Sequence, residues 1–241
     1  VLFRSRRSVC RSQALVTSGV RADVRAPAPE GSGGTGKAVP RGLAVGGAVA
    51  GAGDVNGDGF DDLLVGAVNQ GIGGRVSLFL GGSSGPAQSA SWTYDGELSG
   101  AGFGGSVSTA GDVNGDGLSD VIIGASAISV PEAGEGKVYV FLGRANSVGL
   151  DPMPTWTREG NQVDSSLGSS VSTAGDVNGD GLSDVIVGAR GFSGNQASEG
   201  HALVFLANGS GSLEPAPWFT IELSQASAAV GSSVSAAGDV N

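Results

Sequence analysis

The sequence predicts an all-β fold made of four-stranded β-propeller blades, and three observations predict it. A segment of 15 residues occurs three times almost letter for letter and begins a fourth time at the end of the chain. Between the copies, apolar runs are only three to six residues long, rich in Val, Ile and aromatics, and bounded by Gly, Asn and Asp. No stretch of the 241 residues sustains a helical period. Four short strands in a unit of about 60 residues mark a propeller blade.

The repeated segment runs from Gly53 to Ala67, from Gly111 to Ala125 and from Gly175 to Ala189. Its first Asp falls at 54, 112, 176 and 239, giving spacings of 58, 64 and 63. In the first unit the expected strands are Val45–Ala50, Leu63–Val65, Arg75–Leu80 and Trp92–Tyr94. In the second they are Ser106–Thr109, Val121–Ile123, Lys137–Leu142 and Thr155–Thr157. In the third they are Ser170–Thr173, Val185–Val187, Ala202–Leu206 and Trp218–Ile221. A fourth unit has only a first strand, Ser232–Ala236, before the chain ends at Asn241. The blades are thus placed at about 43–98, 101–160 and 165–223, with a truncated one at 228–241.

Composition fits this reading and removes others. Gly, Pro and Ser make up 86 of the 241 residues, which without a repeat would indicate low-complexity disorder. With a repeat, glycine serves turns and close backbone approach inside strands. No apolar run approaches the roughly 18 residues of a membrane helix. The single Cys10 excludes an intrachain disulfide framework or a cysteine zinc site, and the single His201 argues against histidine clusters.

Charge divides the chain at residue 41. Residues 1–41 hold eight of the 13 basic residues and only Asp23 and Glu30 as acids, whereas 42–241 carry a net charge of −16. The acidic part should repel nucleic acid and attract cations. The basic part, with Arg4, Arg6, Arg7, Arg11, Arg21 and Arg25, reads as an unstructured leader. A nucleic-acid arm is the alternative, but the interleaved aromatics and the motif of a binding module are missing, as is the apolar core of a signal peptide. Val1-Leu2-Phe3-Arg4-Ser5 matches the in-frame translation of one end of a sequencing adapter and is expected to be non-native.

Each repeated segment opens with an Asp loop that has the ligand pattern of a metal site. In the second loop, Asp112, Asn114, Asp116 and Asp120 stand at positions 1, 3, 5 and 9, and the backbone carbonyl of Leu118 is at position 7. Gly117 at position 6 permits the sharp turn. Oxygens at alternating positions of a tight loop converge on one point and suit a hard cation, with Ca²⁺ the expected ion. The first loop repeats the scheme with Asp54, Asn56, Asp58, Phe60 and Asp62, and the third with Asp176, Asn178, Asp180, Leu182 and Asp184. Asp239 and Asn241 begin a fourth, truncated site. The loop is not an EF-hand, since position 12 is Val65, Ile123 or Val187 inside a strand rather than a Glu. The metal-free alternative is an Asx-rich turn that caps a hairpin.

These segments resemble the FG-GAP repeat, the blade of the integrin α-subunit propeller and of many bacterial surface proteins. The resemblance covers residues 43–241. Its first half appears as Phe103-Gly104, Leu167-Gly168, Val230-Gly231 and, most weakly, Val45-Gly46; its second half is Gly66-Ala67, Gly124-Ala125 and Gly188-Ala189. The family's proline is replaced by Val68, Ser126 and Arg190. The resemblance implies a seven-bladed ring, calcium in the hairpin between a blade's first two strands, and partner binding on the opposite face.

The function expected is a calcium-stabilised extracellular or cell-surface scaffold for a protein or glycan partner, as in adhesion, with no catalysis of its own. The alternatives are a propeller attached to a secreted glycan- or phospholipid-acting enzyme, and a calcium sensor. No catalytic constellation can be assembled. His201 reads as an exposed or half-exposed strand residue, Glu132 and Glu135 as a solvated acidic loop, and Cys10 as an incidental thiol. Trp92, Trp156 and Trp218 recur at one blade position and are expected to pack between blades. No nucleic-acid partner and no membrane span are expected. Scarcity of Cys favours a bacterial secreted protein. The chain is expected to be part of a longer polypeptide, and its open blade faces to make it poorly soluble alone.

Overall fold

The computed structural model describes residues 47–146 and 148–238. Among the described residues, twelve strands form three antiparallel sheets, each with its strands in chain order along the sheet. The first sheet is β1 (Ala48–Gly53), β2 (Asp62–Ala67), β3 (Arg75–Phe79) and β4 (Trp92–Asp95). The second is β5 (Phe103–Gly111), β6 (Asp120–Ala125), β7 (Lys137–Phe141) and β8 (Trp156–Glu159). The third is β9 (Leu167–Gly175), β10 (Asp184–Ala189), β11 (His201–Phe205) and β12 (Phe219–Glu222). Among the described residues there is no helix, and hence none long and apolar enough to cross a membrane. The all-β, blade-by-blade architecture expected from the repeat is what the chain adopts.

A single four-stranded sheet has no interior, so each blade buries its faces against the next. One core joins Leu64, Val76, Leu78 and Trp92 of the first sheet to Phe103, Ile123, Tyr139 and Phe141 of the second. The other joins Ile122, Val138, Val140 and Trp156 of the second sheet to Val185, Val187 and Phe205 of the third. The central strand β6 is therefore buried along its whole length, while β12, at the outer edge of the third sheet, is exposed throughout.

The glycines of the repeat sit where blades touch. A Cβ on Gly66, Gly124 or Gly188 would strike the backbone carbonyl of Gly104, Gly168 or Gly231 in the following unit. The second half of each repeat thus meets the first half of the next one, backbone against backbone. Hydroxyls lock the contact, with Ser106 Oγ donating to the Gly168 carbonyl and Ser170 Oγ to the Gly231 carbonyl, each at 2.7 Å. The first strands of the second and third blades are longer than expected, starting at Phe103 and Leu167. Register shifts between Phe103 and Ser106 and between Gly188 and Ala189 let the Phe-Gly segment join the ladder in spite of the positive φ of Gly104 and Gly168.

The turn after the second strand closes without the family's proline. Ala67, Ala125 and Ala189 carbonyls accept from Gln70, Ile128 and Phe192 in matching i to i+3 turns. One expected strand does not form. Ser232–Ala236 is irregular, and the fourth unit is tied to the third blade by the bridge of Gly200 with Val230. In the other blades the first strand pairs with the strand after the Asp loop, and the sequence up to Asn241 contains no such strand. Residues 1–46 and 239–241, with the leader and the weakest Val45-Gly46 copy, lie outside the described residues.

The recurrent tryptophans pack between blades wherever a following blade is present. Trp92 is 6 % exposed, stands edge-on to Phe141 at 5.1 Å and donates to the Asp151 carbonyl at 3.1 Å. Trp156 repeats the contact with Phe205 at 5.2 Å, whereas Trp218 is 56 % exposed. Trp92→Ala should therefore cost about 3–5 kcal/mol in the 241-residue chain, and Trp218→Ala no more than about 0.5 kcal/mol. Urea unfolding of the two variants checks this, and equal losses would show that the tryptophans are not joint residues.

Candidate metal centre

Each Asp loop bridges the first and second strands of its blade, and its geometry is set by the Asp side chains themselves. In the second loop Asp112 Oδ1 accepts from the N–H of Gly115 and Asp116 at 2.6 and 3.2 Å, and Oδ2 from Gly117 at 2.8 Å. Asn114 Oδ1 accepts from the Asp116 N–H at 2.9 Å, and Asp116 Oδ1 from the Leu118 N–H at 2.9 Å. These are nested Asx turns. Gly57 and Gly59, like Gly115 and Gly117, take the positive φ that the tight wrap requires. The first and third loops repeat every one of these bonds, from Asp54, Asn56 and Asp58 and from Asp176, Asn178 and Asp180.

Position 9 is the buried floor of the loop. Asp62, Asp120 and Asp184 are fully buried at the start of β2, β6 and β10. One oxygen of each accepts from the loop, at the N–H of Val55, Val113 or Val177, at 2.8–3.0 Å. The other accepts from the end of the third strand, at Gly81, Gly143 or Ala207, at 2.7–2.9 Å. Burial pushes the Asp120 carboxyl up to about 7; the N–H groups of Gly143 and Val113 oppose this, and the Asp116 and Asp112 charges add to it. Asp62 and Asp184 are shifted upward for the same leading reason. At the loop mouth the direction reverses. Desolvation would raise Asp54, but four backbone N–H groups outweigh it and hold the carboxyl below its ordinary value. Asp176 is lowered in the same way, led by the Gly181 N–H.

The arrangement fits a hard cation in its donor set. Positions 1, 3, 5 and 9 present oxygen atoms from one turn, and among the described residues nothing donates to the position-7 carbonyls of Phe60, Leu118 and Leu182. A cleft of about 580 Å³ opens beside the second loop, lined by Asn114, Asp116, Leu118 and Arg144. Within each loop Asn114 Nδ2 and its equivalents Asn56 and Asn178 donate to Asp116, Asp58 and Asp180. Asp239 and Asn241, the truncated fourth site, and Cys10 lie outside the described residues.

Two expectations about acidic and basic groups need correction. Glu135 is fully buried, not part of a solvated loop, and its oxygens accept from the N–H of Glu132 and Asn161 at 3.4 and 3.0 Å. Glu132 remains exposed. His201 is 8 % exposed rather than open to solvent, since its ring stacks on Phe192 at 3.9 Å. Among the described residues, the trio of metal-capable side chains with ligand atoms within 4.8 Å of one another is Glu199, His201 and Glu222. Sequence reasoning missed it. Aligning the units would have pointed to it, because Glu135-Gly136-Lys137 and Glu199-Gly200-His201 share one register while Gly73 stands at the matching place in the first unit.

The repeats match known proteins at these same segments. The FG-GAP repeat family matches residues 45–79, 103–141 and 167–205, so the stretches that form the first three strands of each blade are FG-GAP repeats. The chain thus carries three FG-GAP repeats and is similar to integrin α subunits. It is 36 % identical to integrin alpha-4 of Xenopus laevis over 152 residues, which is 59 % of this chain and 14 % of that protein. It is 37 % identical to mouse integrin alpha-IIb over 153 residues, 58 % of this chain, and 35 % identical to chicken integrin alpha-V over 158 residues, 57 % of this chain. In both, the match spans 14 % of the relative, so the chain corresponds to about one-seventh of these proteins.

The upward shift of Asp120 has a testable sign. Its carboxyl keeps a proton in the folded state at pH values where the unfolded chain, near 3.8, has lost it. That contribution to stability is complete below about pH 4 and is lost as pH rises to about 7, by at most about 1.4 kcal/mol per unit. In chelator, the urea midpoint should fall between pH 4.5 and 7.5, in steps of about one unit, and Asp120→Asn should flatten the decline from a lower starting value. A wild-type midpoint that rises over this range would contradict the burial argument.

Proposed function

We propose that the chain is part of a calcium-stabilised extracellular propeller that serves as a scaffold for a protein or glycan partner, in the manner of adhesion proteins, and performs no chemistry itself. The observation that carries this reading is the Asp loop, present three times with the same oxygen donors over a carboxylate whose proton affinity is raised by burial. Asp54, Asn56, Asp58, the Phe60 carbonyl and Asp62 would hold one ion. Asp112, Asn114, Asp116, the Leu118 carbonyl and Asp120 would hold the second, and Asp176, Asn178, Asp180, the Leu182 carbonyl and Asp184 the third. When bound, calcium supplies the positive charge that lets these carboxylates sit together ionised.

Location follows from affinity. Extracellular modules of this ligand type bind calcium at roughly 10⁻⁴–10⁻³ M, so such sites fill outside the cell and stay empty in cytosol. Likeness to integrin α subunits supports the adhesion reading. The partner surface is proposed on the face away from the Asp loops, where the turns after the second strands, with Val68, Ser126 and Arg190, differ between blades.

Calcium should raise thermal stability and chelation should lower it. A site with a Kd of about 10⁻⁴ M gains about 2.7 kcal/mol in about 10 mM calcium. Asp116→Ala should remove about a third of the calcium-dependent gain, since each loop loads largely on its own. A melting temperature that ignores both calcium and chelator would show the loops to be metal-free Asx turns.

A further inference from the structure

The third blade carries a group of side chains that neither the Asp loops nor the packing between blades uses. We propose that Glu199, His201 and Glu222 form a second kind of metal site, suited to a borderline transition ion such as Zn²⁺ rather than to calcium. One carboxylate oxygen from each Glu and one imidazole nitrogen lie within 4.8 Å of one another. A mixed nitrogen and oxygen set of three protein ligands, with a fourth position left for water, is a zinc arrangement, whereas calcium takes six to eight oxygens.

The other blades show what is unusual here. Arg75 pairs across the strands with Asp95, and Lys137 with Glu159, and both pairs are salt bridges, at 2.6 and 3.4 Å. His201 faces Glu222 in the same register. The permanent cation is thus replaced by an imidazole, which is both a weaker charge and a metal ligand. A second carboxylate, that of Glu199, lies at the same point, as Glu97 does beside Lys137. Glu199 corresponds to Glu135, but Glu135 has both oxygens occupied by backbone N–H groups. Glu199 uses only Oε1, which accepts from the Gly194 N–H at 2.8 Å.

The remaining atoms are aimed at one another without partners. Glu199 Oε2 and His201 Nε2 are buried and have no hydrogen bond, and Glu199 as a whole is inaccessible to solvent. His201 Nε2 comes within 2.9 Å of Glu222 Oε2, but out of line for a hydrogen bond. Buried polar atoms left without partners are costly, and a cation held also by the exposed Glu222 carboxylate satisfies both. Stacking on Phe192 fixes the imidazole plane. His201 also borders a cleft of about 220 Å³ between the second and third blades, with Arg158 and Leu167.

The test is a titration of the 241-residue chain with Zn²⁺ in millimolar calcium, which keeps the Asp loops filled, followed by Co²⁺ in place of Zn²⁺ to read the visible absorption of the bound ion. One equivalent of Zn²⁺ should bind. Glu222→Gln, at an exposed strand edge, should leave the calcium-bound melting curve in place and weaken Zn²⁺ by about tenfold or more. His201→Gln should weaken it at least as much and shift the Co²⁺ spectrum, while Glu214→Gln, an exposed acid of the same blade outside both sites, should leave both readings unchanged. No saturable binding, binding in Glu222→Gln and His201→Gln as tight as in the unsubstituted chain, or loss of binding in Glu214→Gln would each overturn the proposal.

Discussion

The buried aspartate at position 9 of each Asp loop is the constraint on which the rest depends. Asp120 receives one N–H from the loop it closes and another from the end of the third strand, so it fixes three segments of the blade at once. Removing it from water and from contact with a cation is unfavourable for the ionised form. The same residue therefore organises the hairpin and creates a demand for positive charge at its mouth. Fold and candidate site are not separate designs here, because the carboxylate that ties the sheet together is also the deepest oxygen group of the candidate metal loop.

The second constraint is that the blades have no cores of their own. Their apolar faces are satisfied only by neighbours, through Trp92 on Phe141 and Trp156 on Phe205, and their backbones approach closely at the glycine contacts. The exposed strip of Trp218, Phe219, Ile221 and Leu223 is the same surface without a following sheet over it. Position in the array, not residue type, decides whether an aromatic is core or surface.

Much of this was legible in the sequence because it is local and repeated. The spacing of Asp112, Asn114, Asp116 and Asp120 encodes the turn directly, and the short runs after it encode strands. The tryptophan positions announced their role by recurring. What failed to show depends on distant residues. Glu135 is buried because Asn161, in the following loop, reaches back to it, and His201 because Phe192 folds over its ring. Neither contact leaves a trace in the local pattern. The strand expected at Ser232–Ala236 has the right letters, but a strand is a pairing, and its partner is not in the sequence.

Calcium at these loops would act on the joints between blades more than on the blades themselves. The carbonyl of Asp54 accepts from the Ser119 N–H of the next blade at 2.9 Å, that of Val55 from the Arg144 N–H at 2.9 Å, and that of Asp112 from the Ser183 N–H at 2.8 Å. The first and second loops are thus each held from outside by the blade that follows. Ordering one loop fixes the acceptors to which the next is anchored, so stiffness would pass from blade to blade while each site keeps its own oxygens. Blades joined this way would gain rigidity across their width from ions bound at one rim, leaving the opposite turns free to vary in sequence without loosening the frame that carries them.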